Sequence, residues 1–383
     1  MSASGLVLLI SNDFPPISGG QSRYIYDLWS CLPADDIAIM APAAEGAESV
    51  DAELDCRVVR VPLRLEGGHL SKVYKSLQLL RAAWVFCRAN NVRAIHCGQV
   101  FSTGFAGFGC RFFLGIPYTV YVYGADLLEF RDRFFWGNAL RKILSSAANV
   151  IAISEFTRRA VLGCGAVDEQ VQIVKPALDL QRFAEPVDRD AVRAKYGWDG
   201  RKVVLSVGRL VERKGQDTVI RALAEVAREV PEVLYAIGGS GPHRAELEKL
   251  AVELGVADRV QFLGFVEEGE LAQHYAAADI FSMVSREIGE SGEVEGFGIV
   301  YLEANACATP VLGGRSGGVE DAIADGESGM LVDPNDVAAL SVCLVRLLGD
   351  DALRLELGEK GRRRVFAEFD RRVQARRLWE IDA

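Results

Sequence analysis

Histidine is scarce in this chain, four in 383 residues, and methionine is equally so. The eight cysteines, at positions 31, 56, 87, 97, 110, 164, 307 and 343, form no Cys-x-x-Cys pair. Without clustered His and Cys there is neither zinc-site spacing nor a disulfide framework, so the thiols read as reduced core residues. Long apolar runs are also missing. Residues 94–110 carry no formal charge but contain His96, Gln99 and several glycines, which is too polar to cross a bilayer. The first apolar run, Leu6 to Ile10, is too short for a secretory leader and reads as a buried strand. A cytoplasmic location is expected. The Gly-x-Gly-x-x-Gly fingerprint is absent, which disfavours nicotinamide binding. No low-complexity tract and no short repeat occurs.

A chain this long exceeds the size at which one core stops growing, so two domains are expected. Half the residues are hydrophobic and a quarter charged, as in a globular protein with ample core. The net charge of −10 is unevenly spread. Residues 1–56 hold one Arg against nine acids, whereas 57–159 hold 15 Lys and Arg against 5 acids. A basic block inside an acidic protein marks either a surface for phosphate or anionic lipid, or a set of solvated helix faces.

Strand-like runs at 5–11, 36–41, 57–62, 93–97, 117–122 and 148–153 alternate with helical patterns at 21–32, 71–90 and 101–113. The same rhythm returns with strands at 202–207, 233–238, 259–263, 278–284, 309–312 and 329–332 and helices at 215–229, 243–254, 268–276 and 297–306. Such alternation predicts α/β structure, with two doubly wound parallel sheets. The stretch from Lys175-Pro176 through Pro186 and Arg189 breaks the rhythm and reads as a linker, and after Asp336 the chain is almost wholly helical. Ligands of such sheets bind at the carboxyl ends of the strands, so chemistry is expected in a cleft between the halves.

Four segments carry chemistry. Glu295 and Glu303 bracket Gly-Phe-Gly-Ile-Val-Tyr-Leu at what reads as a helix mouth. Eight residues make a little over two helical turns, which predicts both acids on one side. Carboxylates there can hold sugar hydroxyls while unpaired N–H groups meet phosphate. In Ser206-Val-Gly-Arg-Leu-Val-Glu-Arg-Lys-Gly215 a buried strand delivers Arg209 to the sheet edge, with Lys214 at the start of the next helix. A guanidinium fork plus a mobile ammonium suits a diphosphate. Arg213 reads as ordinary surface basicity. The loop Asp13 to Gln21, with Gly19-Gly20, opens the first helix and lets backbone amides approach an anion. Gly238-Gly-Ser-Gly-Pro242, after a strand, is either a nucleotide-bearing loop or a plain turn.

Together these segments resemble the retaining glycosyltransferases of family 4, and the resemblance runs from the Pro-Pro-x-x-Gly-Gly loop to Gly-Met-Leu-Val-Asp-Pro at 329–334. Its most specific parts are Val-Gly-Arg-Leu with Arg-Lys-Gly, and Glu295-x7-Glu303. The chain is especially similar to bacterial cell-envelope members, among them phosphatidylinositol mannosyltransferases. The resemblance implies the GT-B fold of two facing Rossmann-like domains with a deep interdomain cleft. It places an acceptor domain at 1–180, a donor domain at 181–368, and a helix from about 369 to 383 packing back on the first domain. Arg209 and Lys214 would hold the donor diphosphate, Glu303 the ribose and Glu295 a sugar hydroxyl. Amides from Phe297, Gly298, Ile299 and Val300 would contact sugar and phosphate. Phe265 and Val266 would line the base pocket, with Gly239 in the donor loop and Gly19 and Gly20 approaching from the other domain.

The family commonly has His-Gly after the strand at 117–122, where this chain has Tyr123-Gly124. Tyrosine donates a hydrogen bond but does not titrate near neutrality. Its ring is either an altered sugar contact, with a donor differing at C6, or packing. The implied reaction transfers a sugar, with retention, from a UDP- or GDP-linked donor to a hydroxyl of a glycan, glycolipid or small molecule. No cofactor and no metal is expected, because the cations are protein groups and Asp188-Arg-Asp190 lies in the linker. Glu295 as a nucleophile is the lesser reading. A sugar-nucleotide epimerase and a catalytically silent sugar-nucleotide-binding protein are the alternatives. Lys72, Lys75, Arg81 and Arg88, with Leu77, Leu80 and Trp84, and the segment Phe130 to Trp136 interleave cations and apolar residues. They suit either a peripheral contact with anionic membrane or core packing with solvated charge. Nucleic acid is not an expected partner.

Overall fold

Val7 to Ile10 carry no polar side chain and are buried on both faces, which is what the centre of a parallel sheet demands. The computed structural model describes residues 5–17, 19–63, 69–124, 127, 130, 131, 133–289 and 293–382, without the side chains of 69–72. The Lys72 side chain, Ser18, Asp126 and Asp132 lie outside the described residues. The chain divides into two units, Met1–Ala177 with Arg371–Ala383, and Leu178–Asp370.

The first unit holds β1 (Leu6–Ile10), β2 (Ile37–Pro42), β3 (Arg57–Val61), β4 (Val92–Cys97), β5 (Tyr118–Val122), β6 (Asn149–Ala152) and β7 (Val171–Ile173). They form one parallel sheet in the order β3-β2-β1-β4-β5-β6-β7. Helices α1 (Gly20–Trp29), α2 (Ala47–Asp51), α3 (His69–Ala89), α4 (Ser102–Leu114), α5 (Phe134–Ser146) and α6 (Glu155–Gly163) connect them. The core runs through Leu8, Ile10, Ile95, Val120 and Val150 to Leu79, Ala106 and Leu144. Helix α6 starts on Ser154, whose hydroxyl accepts from the Thr157 N–H and satisfies one of the donors a helix leaves unpaired.

The second unit repeats the plan. Strands β8 (Lys202–Val207), β9 (Val233–Gly238), β10 (Val260–Gly264), β11 (Ile280–Met283), β12 (Val311–Gly314) and β13 (Gly329–Val332) lie in the order β10-β9-β8-β11-β12-β13, all parallel. Helices α7 (Arg189–Tyr196), α8 (Gln216–Glu229), α9 (Arg244–Glu253), α10 (Leu271–Ala277), α11 (Ile299–Ala306), α12 (Val319–Ala322), α13 (Val337–Gly349) and α14 (Asp351–Glu368) connect and cover them. Val204, Tyr235, Ile280 and Leu312 meet Val219, Leu223, Leu340 and Leu344 in its core.

The last helix, α15 (Arg371–Ile381), belongs to the first unit. Three contacts tether its end. The ring of Trp379 lies under the Arg93 guanidinium at 5.2 Å, and Arg93 Nη1 donates to the Asp382 carbonyl at 2.7 Å. The Asp382 carboxylate meets Nε2 of buried His96 at 2.5 Å.

Two readings change. Strand β7 has no counterpart in the sequence reading, because three residues, Val-Gln-Ile, are too few to show a period. The expected helix over 297–306 begins only at Ile299, because Gly298 sits at φ +93 and breaks it.

Candidate functional site

In the second unit the connections diverge between β8 and β11, one running outward to β9 and the other to β12. Such a divergence, at the strands' carboxyl ends, is where ligands of doubly wound sheets bind. Strand β8 ends at Val207, Gly208 takes φ +157, and Arg209 follows, exposed and with no side-chain partner among the described residues. The chain then makes a 3₁₀ turn, Glu212–Lys214, and Gly215 at φ +70 opens α8. A Cβ on Gly215 would sit 2.0 Å from the Val284 carbonyl oxygen, so the turn is pressed against the end of β11. Arg286 fastens it. Its N–H donates to the Arg213 carbonyl at 2.8 Å, and its guanidinium forks onto both Asp217 oxygens at 2.8 and 3.1 Å.

This frame points two cations at one carboxylate. Lys214 Nζ and Arg213 Nη1 both donate to Oε2 of Glu295, at 2.5 and 3.0 Å. The Lys214 and Glu295 side chains are 11% and 13% exposed, so the pair is largely out of water. Burial alone would push the Glu295 carboxyl up; the Lys214 ammonium and Arg213 guanidinium outweigh it and hold the group below the ordinary carboxylate range. Arg213 is therefore a member of the site and not ordinary surface charge. Lys214 ends the 3₁₀ turn and does not start a helix.

The two acids do not share a helix face. Glu295 precedes α11, in a segment held by its own carbonyl, which accepts from the Gly318 N–H at 2.8 Å. Glu303 lies on α11, where its Oε2 accepts from the Tyr275 hydroxyl at 2.8 Å. Glu295 is placed by a loop contact that a helical period does not describe, and Glu303 by its helix.

Close backbone approach explains the glycines around them. Gly239, at φ +131, would put a Cβ 1.9 Å from the Gly208 carbonyl, and Gly318 one 1.9 Å from the Gly296 carbonyl. The Gly238–Gly241 loop is bonded to both flanking loops: Leu210 N–H donates to Ser240 O, and Gly239 N–H to Gly264 O. Phe265 is 72% exposed beside this loop, whereas Val266 is buried. The Phe297 side chain is buried against Phe369 at 6.0 Å, which leaves its backbone as its functional part. Ile299 and Val300 open α11, whose first amides have no partner within the helix. The Gly317-Gly318 turn escaped the sequence reading, although two Gly-Gly pairs within 313–318, at and just beyond the end of a strand, were the available signal.

The first unit has its own polar end, between β1 and β4. Asn12 N–H donates to Gln99 Oε1 at 2.9 Å, and Gln99 Nε2 reaches Ser11 Oγ at 3.2 Å and Asp13 Oδ2 at 3.4 Å. Burial pushes the Asp13 carboxyl up. Gly19, at φ +153, and Gly20 are exposed at the start of α1, with open space where a Cβ would point. Tyr123, after β5, is buried, hydroxyl included, with its ring perpendicular to that of Tyr24 at 5.9 Å.

Comparison with known proteins adds an independent line. A family model described as Glycosyltransferase Family 4 matches residues 18–182, and one described as Glycosyl transferases group 1 matches 188–364. A GDP-mannose-dependent alpha-(1-6)-phosphatidylinositol monomannoside mannosyltransferase of Mycolicibacterium smegmatis is 34% identical, covering 98% of this chain and 97% of the relative. A GDP-mannose-dependent monoacylated alpha-(1-6)-phosphatidylinositol monomannoside mannosyltransferase of Corynebacterium glutamicum is 33% identical, covering 100% and 98%. Among solved structures, Anabaena HepE in complex with UDP shares the fold, with a TM-score of 0.80 at 20% identity over 98% of this chain and 99% of that one. The sucrose-phosphate synthase of Thermosynechococcus elongatus does so with 0.81 at 24% over 99% and 98%. Two Rossmann-like units with an Arg–Lys–Glu cluster at the second sheet's divergence, and full-length relatives of this kind, lead to one conclusion: the chain belongs to the family 4, group 1 glycosyltransferases, with the GT-B fold.

Proposed function

We propose that the chain is a retaining, metal-independent transferase that moves mannose from GDP-mannose to a hydroxyl of an inositol glycolipid. The observation that carries the donor half is the Arg213–Lys214–Glu295 cluster beside exposed Arg209. A carboxylate held ionised between two cations can accept a sugar hydroxyl, while Arg209 and Lys214 face an incoming diphosphate. Glu303 takes the ribose, and the amides at Phe297 to Val300 meet sugar and phosphate at the mouth of α11. Gly239 lets its loop approach the nucleotide, with Phe265 and Val266 against the base. Guanine and mannose follow the two full-length relatives, both GDP-mannose-dependent.

In the transfer step the bond from sugar C1 to the β-phosphate oxygen breaks, and a bond from C1 to the acceptor oxygen forms on the same face. The departing phosphate oxygen takes the acceptor's proton. Charge accumulating on the diphosphate is met by Arg209, Lys214 and the helix mouth, and such preset charges cost no reorganisation as the bond breaks. Lys214 turns from Glu295 toward phosphate in this step, and Arg213 keeps the carboxylate paired. Tyr123, buried against Tyr24, serves by packing.

The acceptor half rests on surface. On neighbouring helices α3, α4 and α5 the described residues expose Tyr74, Leu77, Trp84, Phe112, Phe113, Phe134 and Phe135, with Arg81, Arg88, Arg111, Arg133 and Lys142 among them. Aromatic rings amid cations suit the interface of an anionic membrane. No helix of the described residues is long and apolar enough to cross one.

A donor panel of GDP-mannose, UDP-glucose, UDP-N-acetylglucosamine and UDP-xylose, read by melting temperature, tests the reading. GDP-mannose should raise stability most, by mass action, and Glu303→Ala should reduce the rise. An equal rise in Glu303→Ala would refute the ribose assignment. Failure to sediment with phosphatidylinositol vesicles at low salt would remove the membrane contact.

A further inference from the structure

Tyr275 is fully buried on α10, and the proposed reaction gives it no part. Its position is tightly determined. Thr309 Oγ1 donates to its carbonyl at 2.7 Å. Its ring stands edge-on to Phe281 of β11 at 5.5 Å, and Phe281 stands edge-on to Tyr301 of α11 at 5.6 Å. The Tyr301 hydroxyl closes the column by donating to the Met283 carbonyl at 2.5 Å. This aromatic column, running from α10 past β11 to α11, delivers one hydroxyl to Oε2 of Glu303 at 2.8 Å.

We infer that Tyr275 is the positioning residue for ribose recognition: it fixes the plane of the Glu303 carboxylate so that the acid reads the 2′- and 3′-hydroxyls of a nucleoside diphosphate. The inference rests on the assignment of Glu303 to the ribose. A vicinal diol is gripped well only by a carboxylate whose rotation is fixed, and a charge-assisted bond from a buried, immobile donor fixes it. Burial pushes the Tyr275 phenol well above its ordinary range, so it stays a donor at any pH the enzyme meets. Discrimination against a ligand lacking the hydroxyls then follows, because the set carboxylate then meets no ribose donor.

Calorimetric titration of the intact chain with GDP and with 2′,3′-dideoxy-GDP tests this. Wild type should prefer GDP by at least about tenfold, the scale of a hydrogen bond to a charged group. Tyr275→Phe keeps the ring and its stack on Phe281. It should weaken GDP by about fivefold to tenfold and leave dideoxy-GDP within about twofold, so the preference collapses. Glu303→Asp, which withdraws the carboxylate from the hydroxyl by one methylene, should lose the same preference. Equal weakening of both ligands by Tyr275→Phe would mark a merely structural residue and overturn the inference, as would an intact preference in either variant. Failure of the underlying assignment looks different: wild type would bind both ligands alike, and Glu303→Gln would change nothing.

Discussion

One oxygen of Glu295 serves two cations, and this sharing sets what single substitutions do. With Lys214 and Arg213 both in place, burial is outweighed and Glu295 is held ionised below the ordinary carboxylate range. Arg213→Gln removes one of the two cations, so burial regains weight and the carboxyl rises. A group whose folded value is depressed gives its contribution at higher pH and loses it as pH falls through that value. The acid limb of kcat/KM should therefore move to higher pH in Arg213→Gln, while its alkaline limb stays in place; an unmoved acid limb would remove Arg213 from the site. Tyr123 belongs to the same scale. Its hydroxyl is buried, so Tyr123→Phe should leave donor affinity and donor choice near wild type, and a changed donor choice would restore it as a sugar contact.

At the scale of elements, the loops at the sheet ends are as constrained as the strands. Gly318→Ala needs no unusual dihedral, yet its Cβ would lie 1.9 Å from the Gly296 carbonyl. The Gly318–Glu295 hydrogen bond would have to give way, costing roughly 1–3 kcal/mol on the scale of overpacking. Thermal unfolding should show that loss together with reduced kcat/KM; a neutral outcome in both would mean the turn does not hold Glu295. The strands were legible in the sequence because parallel, doubly buried strands must be continuous apolar runs. Only β7 escaped, being three residues long. Arg209, Lys214 and both glutamates were legible as motif residues, but their geometry was not. Periodicity describes what repeats along a helix. It is silent on a loop such as 294–298, placed by contacts with residues 213, 214 and 318. Tyr275 looked like any core aromatic because the sequence does not say where one hydroxyl of a buried ring will point.

For the whole molecule, the notable connection is the return of α15 to the first unit. It is anchored at its end by the buried His96–Asp382 contact, with Tyr121 OH 2.9 Å from the other ring nitrogen. Burial raises the Asp382 carboxyl, but His96 and then Arg93 more than reverse this and hold it below the ordinary range. Its stabilisation is present above the ordinary aspartate value and is lost as pH falls through the depressed one. Asp382→Asn should cost about 2 kcal/mol near neutrality, a drop of roughly 4–8 °C in Tm, and the gap to wild type should close in acid. A constant gap at all pH would show that the charge is not what holds α15.

Sugar transfer with retention from a GDP-linked donor is put to the test by the slow hydrolysis of GDP-mannose by the purified chain. Early time points followed by proton NMR separate the readings before the free sugar equilibrates. Retention requires GDP and α-mannose as the first products, released at least about tenfold more slowly when Arg209 is removed. First release of β-mannose, or a donor epimerised with its nucleotide still attached, would contradict it.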